Sequence, residues 1–420
     1  MSSSSSQPVQ GMSDLAYPEI ALWQMIESRA RSVFRVYGFE EVRTPALEHT
    51  KIFVRSLGDT TEVVQKEMYT FEDRGGRSLT LRPEGTAGVM RYLAGAGELA
   101  QSARLFYMGP MFRAERPQAG RKRQFHQIGA ESMGEPCAAA DAECIALQTH
   151  LLAEWGLKNC VVQINTRGTR ADRPVVTAKL QEALQPHLAN LCEDCRRRYE
   201  TNVLRILDCK QPACREIVRG LPPVTDFMAP ESRAYLQEVL DCLKRLSIPV
   251  QLNPLLVRGL DYYEHTVWEI THPALGAQDA LAGGGRYRIA IGDKDIEGVG
   301  FAMGVERTIM ALEGEGIRPE QFIEPVQVWL VSQGEAAFRE NLLLAMTLRR
   351  RGISCQLDLG SRSMKAQMRM AGKSGAPQVI IRGDAEMEKG TFLLKDMKSG
   401  TQEEKDMPGL MKVLSPVHPA

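Results

Sequence analysis

The chain has 420 residues, enough for more than one domain and for a core that needs no covalent staples. Its 52 basic and 52 acidic residues cancel to zero formal net charge, which excludes a global field drawing it onto nucleic acid or membrane. A polyanion must therefore be met locally, by patches such as Arg121-Lys122-Arg123 or Arg349-Arg350-Arg351.

No stretch reads as a membrane span, and Ser2 to Ser6 lacks both the apolar core of a signal peptide and the arginines of a transit peptide, so a cytoplasmic protein is expected. Nine cysteines, an odd number scattered along a long chain, fit reduced thiols better than a disulfide framework. The first ten residues offer almost nothing to bury and are expected to be disordered.

Order starts with Ile20, Trp23, Ile26, Ala30, Val33, Phe34 and Tyr37, whose three- and four-residue steps predict a long helix with one apolar face, capped by Gly38. Glu41-Val42-Arg43-Thr44-Pro45 reads as a strand running into a proline, which suits a sheet edge or a subunit contact. Short strands are expected at Met68 to Phe71 and Ser78 to Leu81, with a turn at Asp73-Arg74-Gly75-Gly76. A strand, charged loop and strand follow between Arg104 and Met133, then a helix from Asp141 to Trp155 stopped by Gly156. Residues 170–245 are helix-rich and cysteine-rich and read as an insertion. Strands return at Val250 to Val257 and His265 to Ile270, and Gly298 to Arg307 passes from strand into a helix ending near Leu312. Beyond a Gly- and Pro-containing linker, the pattern is strand Val326 to Ser332, helix Glu335 to Arg351, strand Ile353 to Leu357, helix Ser361 to Ala371, strand Gln378 to Arg382 and a final strand Thr391 to Leu394. That alternation predicts a mainly parallel sheet covered by helices.

Several stretches carry chemistry. In Arg82-Pro83-Glu84-Gly85-Thr86 a turn brings a carboxylate and a hydroxyl together, which either clamps an ammonium group or is simply a solvated turn. Arg113, after the apolar run that ends Gly109-Pro110-Met111-Phe112, should point inward and needs an anion there. By the two-residue period of a strand, Phe125, Gln127, Gly129 and Glu131 share a face that makes a poor core and a good polar pocket floor. Leu256-Val257-Arg258-Gly259-Leu260-Asp261-Tyr262-Tyr263 sets a lone cation beside paired tyrosines, and Gly283-Gly284-Gly285-Arg286-Tyr287 would let a backbone approach a ligand closely. Cys192, Cys195, Cys209 and Cys214 come close to a four-thiolate zinc spacing, although the second pair is wide and reduced buried cysteines, which are common, remain the other reading.

Taken in order, these motifs resemble those of the histidyl-tRNA synthetases within the class II aminoacyl-tRNA synthetases. Thr44-Pro45 is similar to the proline of the first class motif, Phe112-Arg113-Ala114-Glu115 to the second and Gly304-Val305-Glu306-Arg307 to the third. The stretch Arg258 to Tyr263 and the stretch Gly284-Gly285-Arg286-Tyr287 resemble the two histidine-specific motifs. The resemblance implies an α+β protein: a class II antiparallel-sheet catalytic domain over 11–169 and 246–313, interrupted by the helical insertion at 170–245 and joined by a linker at 314–325 to an α/β anticodon-binding domain over 326–420. It implies a histidine–tRNA ligase that uses ATP with Mg2+, L-histidine and the cognate tRNA, works as a homodimer and needs no membrane. Histidine would lie against Glu84, Gly85, Thr86, Arg113, Gln127, Glu131, Arg258, Tyr262, Tyr263 and Tyr287, and ATP against Arg113, Glu115, Arg121, Phe125 and Arg307, with Arg258 and Arg113 catalytic. The competing expectation is a catalytically inactive histidine-sensing regulatory paralogue, which needs neither the phosphate-facing arginines nor the last domain. One departure stands out: the family's Gly-Gly-Gly-Arg-Tyr-Asp ends here in Arg288.

Overall fold

The computed structural model describes residues 7–58, 61–97, 101–134, 136–258, 262–276, 279–291, 294–360 and 362–414. The Gly259-Leu260-Asp261 part of the arginine–tyrosine stretch, the serines at 2–6 and the expected helix start at Ser361 lie outside them.

The described chain divides into two compact units, Met1–Phe322 and Ile323–Ala420. In chain order the strands of the first unit are β1 (Glu40–Glu41), β2 (Leu47–His49), β3 (Tyr69–Glu72), β4 (Ser78–Leu81), β5 (Arg104–Phe112), β6 (Gln124–Met133), β7 (Val161–Thr166), β8 (Val250–Leu252), β9 (Tyr263–Thr271), β10 (Ala280–Ile291) and β11 (Lys294–Gly304). Its helices are α1 (Glu19–Val36), α2 (Thr50–Leu57), α3 (Thr86–Ala94), α4 (Ala138–Trp155), α5 (Asp172–Leu184), α6 (Glu193–Thr201), α7 (Pro212–Arg219), α8 (Pro230–Arg245) and α9 (Val305–Gly314). Eight strands form one sheet in the order β1-β5-β6-β11-β10-β9-β7-β8, and its pairs are antiparallel except at the two edges, β1 with β5 and β7 with β8.

Alternation along the central strands assigns each sheet face a different job. Phe106, Ile128, Ala130, Val299, Phe301, Met303, Trp268 and Ile270 pack under α1, α4 and α8 in the main core. The predicted face of α1 is the buried one, through Trp23, Ile26, Ala30, Val33 and Phe34, and Trp155 of α4 donates its indole N–H to the Ile26 carbonyl at 3.0 Å. Gly38 and Gly156 both take the positive φ expected of residues that stop α1 and α4. The opposite face meets α2 and α3 around Tyr107, Tyr263, Val267 and Tyr287, and leaves a trough beside them.

Several expected boundaries move. Glu41 to Pro45 contributes only the end of the two-residue strand β1, which pairs in parallel with Leu105 and Phe106 at the sheet edge. The strand expected over Val250 to Val257 stops at Leu252, because Asn253 turns the chain: its amide bonds the Ile164 carbonyl, and its own carbonyl accepts from the Leu256 amide. The segment after α9 is anchored as well. Glu315 accepts from the Lys158 and Asn159 amides at 3.0 Å each and from His272 Nε2 at 2.9 Å.

The second unit holds β12 (Val328–Ser332), α10 (Glu335–Arg350), β13 (Cys355–Leu357), α11 (Met364–Ser374), β14 (Gln378–Arg382), α12 (Asp384–Lys389), β15 (Phe392–Asp396), β16 (Gln402–Lys405) and α13 (Met407–Val413). The sheet order is β13-β12-β14-β15-β16, parallel for the first three strands and antiparallel for the last two, so it is mixed rather than mainly parallel. The final strand is β16, not the one beginning near Thr391. Gln402-Glu403-Glu404-Lys405 has no apolar residue to betray a strand, as suits an exposed sheet edge.

Candidate active site

The trough on the α3 face of the sheet is a cleft of about 310 Å³. It exists because Gly283 of β10 and Gly300 and Gly304 of β11 face it without side chains, and on β11 these positions alternate with the bulky core residues Val299, Phe301 and Met303. A Cβ on Gly300 would stand 1.9 Å from Glu131 Oε2, and one on Gly283 would stand 2.5 Å from the Arg258 guanidinium. Neither glycine can be replaced without expelling the side chain laid across it.

One end of the cleft is a buried polar cluster. Glu131, 1% exposed, accepts a 2.6 Å hydrogen bond from the Tyr287 hydroxyl, and Tyr262 and Tyr263 pack beside Tyr287 and each other. Burial pushes the Glu131 carboxyl up to about 8; the Tyr287 and Thr86 hydroxyls oppose that rise and the Glu84 charge adds to it. Glu84 accepts from the Thr86 and Ala87 amides at 2.7 Å each, so its carboxylate closes the start of α3 while lining the cleft; burial raises its pKa against those amides. The Arg82 to Thr86 stretch is thus no solvated turn. Arg82 is buried and donates to the Pro110 and Thr44 carbonyls. Gln127 Oε1 is buried with no hydrogen-bond partner among the described residues, an acceptor facing a donor that the protein does not supply.

The remainder of the cleft is cationic and aromatic. Arg113 donates to the Pro83 carbonyl at 3.0 Å and lies with its guanidinium carbon 5.3 Å from the centre of the Phe125 ring. Arg258 pairs with Glu269 at 2.6 Å. Arg307 donates to the Ala280 carbonyl at 2.6 Å; burial, and then the nearby Arg121, push its pKa down. Crowded guanidinium groups of this kind favour a multiply charged anion between them. Glu306, the residue before Arg307, accepts from the His126 amide at 2.9 Å and faces His126 Nδ1 at 3.1 Å, which pins the start of α9 to β6. Glu115 lines the cleft 3.5 Å from Arg121.

Of the residues singled out in the sequence, Glu84, Thr86, Arg113, Glu115, Arg121, Phe125, Gln127, Glu131, Arg258, Tyr262, Tyr263, Tyr287 and Arg307 come together around this one cleft. Gly85 does not line it. It lies under Tyr107, whose ring would be 2.1 Å from a Cβ there, so glycine serves the packing of α3 against β5. Glu67, Glu269 and Glu306 also line the cleft and were not singled out. For Glu269 a signal existed, since it alternates with the core residues Trp268 and Ile270. Away from the cleft, the sulfur atoms of Cys192, Cys195, Cys209 and Cys214 lie within 4.8 Å of one another.

An antiparallel sheet with an arginine-lined trough floored by glycines, closed by a hairpin that carries Arg113 and by a strand running into a helix that carries Arg307, defines a class II aminoacyl-tRNA synthetase catalytic unit. The family model for histidyl-tRNA synthetase matches residues 11–308, and that for the anticodon binding domain matches residues 326–415. A histidine–tRNA ligase of Pelotomaculum thermopropionicum is 44% identical over 411 residues, 96% of each chain. The apo histidyl-tRNA synthetase of S. aureus superposes with a TM-score of 0.81 at 34% identity, covering 97% of this chain and 99% of its own. A Bacillus halodurans structure described as an ATP phosphoribosyltransferase regulatory subunit/histidyl-tRNA synthetase reaches a TM-score of 0.66 at 24% identity, with 91% of this chain and 100% of its own covered, and shares the fold. The chain belongs to the histidyl-tRNA synthetase family.

Proposed function

We propose that the protein joins L-histidine to ATP, giving histidyl-adenylate and pyrophosphate, and then passes the histidyl group to the 3′ end of its cognate tRNA. The observation that carries this reading is the convergence of Arg113, Arg258 and Arg307 on one cleft whose far end is the Glu131–Tyr287 pair. Two anions, a carboxylate and a triphosphate, must be held together for attack, and cations on several sides make that possible.

In this reading the imidazole enters beside Glu131, Tyr262, Tyr263 and Tyr287, where both ring nitrogens find partners; a site built this way rejects analogues that lack one of them. The substrate ammonium meets Glu84, Thr86 and the unfilled acceptor of Gln127. Its carboxylate oxygen attacks the α-phosphorus in line, the bond to the bridging oxygen breaks, and pyrophosphate carries the electron pair away. Arg113 bridges carboxylate and α-phosphate, Arg258 faces the α-phosphate from the other side, and Arg307 meets the γ-phosphate. Adenine takes the face of Phe125, and Glu115 accepts from its amino group. ATP enters as its magnesium complex.

In the second step the terminal ribose hydroxyl attacks the histidyl carbonyl and AMP leaves. The loop at 116–123 is assigned to the acceptor end of the tRNA and the unit from 326 onward to the anticodon. A homodimer through the region of Thr44 and Pro45, and a cytoplasmic location, complete the reading. No helix among the described residues is long and apolar enough to cross a membrane.

A histidine-sensing regulatory protein needs the imidazole end of the cleft but not its three arginines, so their presence favours the enzyme. Histidine-dependent exchange between ATP and pyrophosphate is the test. Exchange is expected with histidine alone among the amino acids, and folded protein that binds histidine without catalysing exchange would instead support the regulator.

A further inference from the structure

The helical insertion has its own small core. Val176, Leu180 and Leu184 of α5 pack against Leu191, Val203, Ile206, Leu207 and Val218, and the four cysteines lie within or beside that cluster. Cys192 caps the start of α6, Cys195 lies in its first turn, Cys209 follows a tight turn at Val203–Ile206, and Cys214 sits in the first turn of α7. Two short helices of nine and eight residues thus bring their starts, and these sulfur atoms, together.

The geometry matches one chemistry closely. A tetrahedral site with zinc–sulfur bonds of about 2.3 Å has sulfur–sulfur edges of about 3.8 Å. Here the four sulfurs lie within 4.8 Å of each other, and Cys192 and Cys209 are 3.9 Å apart. Those separations are far longer than a disulfide bond and too short to enclose a multi-iron cluster. The Cys192 amide donates to Cys214 Sγ at 3.2 Å, the kind of N–H to sulfur bond that supports a metal-bound thiolate. Three of the four cysteines are buried, so four unliganded thiols would fill the centre of a mini-core with weakly satisfied sulfur.

The insertion also reaches the active site along two routes. Val257, next to Arg258, belongs to the same apolar cluster as Cys195, Cys209 and Cys214, and with Leu256 it lines a small void alongside Val176, Leu204, Val224 and Met228. The Leu256 carbonyl is held by Asn165 Nδ2 at 3.1 Å. On the other side, Arg198 of α6 pairs with Glu62 at 3.1 Å, at the head of the turn whose Glu67 carbonyl accepts from the Ala114 amide at 2.7 Å. Arg258 therefore stands next to a residue of the cysteine-centred core, whereas Arg113 stands next to Ala114, whose bond to Glu67 leads only through the exposed Glu62–Arg198 pair to α6.

We propose that Cys192, Cys195, Cys209 and Cys214 bind one zinc ion as a closed tetrathiolate centre, and that this centre acts through Val257 to position Arg258 for adenylate formation. The metal site stands on the cysteine geometry alone; the positioning role rests on the function proposed above.

The full-length chain, purified without chelator, is first analysed for metals. One zinc per chain is expected, released as a mercurial reagent captures the four ligand thiolates. Protein holding no zinc, or iron in its place, or two disulfides among these cysteines, overturns the site whatever the enzyme's activity. For the positioning role, the zinc-loaded Val257→Ala variant is compared with the parent. Zinc content and histidine affinity should change by less than about twofold, while the exchange kcat falls roughly tenfold or more, as expected when a catalytic group shifts by a fraction of its working distance. Unchanged kcat with zinc in place overturns the positioning role and leaves the metal site standing. If Val257→Ala does not fold, the milder Val257→Ile probes the same route with the same three readouts: a fall in kcat with zinc and histidine binding retained supports positioning through Val257, and an unchanged kcat overturns it.

Discussion

Tyr287 and Glu131, from β10 and β6, meet through a 2.6 Å hydrogen bond across the intervening strand β11, and the gap they span is open because Gly300 stands between them. A carboxyl this deeply buried resists ionisation, and the tyrosine hydroxyl offsets only part of that resistance. Near neutral pH burial thus holds this carboxyl mostly protonated, and in the function proposed above an imidazole N–H presented to it would favour the charged form.

The first prediction concerns stability against pH. The folded-state pKa of Glu131, about 8, lies above its ordinary 4.5, so the folded protein holds the proton more tightly than the unfolded chain. The resulting stabilisation is full below about pH 4.5, is lost as pH rises to about 8, and is flat beyond; its upper bound over that window is about 5 kcal/mol. Glu131→Gln removes this dependence. Urea unfolding of both proteins at pH 5, 7 and 9 should show the parent losing ground to the variant over that range, and parallel curves would refute the assignment.

The second prediction separates binding from chemistry at Arg258. Its guanidinium is assigned to charge that grows on the α-phosphate, so Arg258→Ala should lower the exchange kcat by about 10²- to 10³-fold, the usual scale for deleting one transition-state donor. Histidine affinity, measured by equilibrium titration, should change by only a few fold. An equal loss in both would move Arg258 from phosphate to histidine recognition.

Much of this cleft was legible because strands have a strict period of two: Phe125, Gln127 and Glu131 had to share a face, and a glutamate and a glutamine on it could not be core. The long helices were equally plain, their apolar stripes and terminal glycines being local signals. Glu67 and Glu306 were not readable in this way, because what brings them to the cleft is pairing over long separations, such as Glu306 with His126. The strand β16 was hidden by its polar sequence, and the mixed sheet of the second unit by the antiparallel return that β15 and β16 make. Arg286 illustrates a further limit. It stands inside a motif that otherwise serves the cleft, yet it turns to the other sheet face and pairs with buried Asp141 at 2.7 Å.

A third prediction follows from Asp172, which begins the insertion. Its carboxylate accepts from the Thr169 amide and hydroxyl, the Ala229 amide at 2.8 Å and the Ser232 hydroxyl at 2.6 Å, clasping the start of α5 to the start of α8. Burial works against ionisation, but these donors prevail and hold the carboxyl down at about 2. The stabilisation it supplies is thus present above about pH 3.8 and lost as pH falls through 2. Asp172→Ala leaves several donors unmet, at a cost of about 2–4 kcal/mol at neutral pH. Limited proteolysis should then cut first within residues 172–245, whereas uniform destabilisation of the whole first unit would argue against a local clasp.

The last prediction addresses Arg288, where the family motif carries aspartate. Along β10, Tyr287 points into the cleft, so Arg288 must point to the opposite face, as Arg286 does. There it sits directly across from Glu297 on β11 and forms an ion pair with it, with Glu264 4.0 Å away. It does not line the cleft, and among the described residues its ion pairs are with two carboxylates that do not line it either. Glu297, and more distantly Glu264, favour a cation at this position, which gives the arginine a local reason for being here. Restoring the family's residue with Arg288→Asp would place three carboxylates together on neighbouring strands β9, β10 and β11, at a cost of roughly 1 kcal/mol or more in stability. The exchange kcat and the histidine affinity should stay within about twofold of the parent. A gain in kcat on making this change would show that the arginine does disturb the pocket, through the backbone it shares with Tyr287.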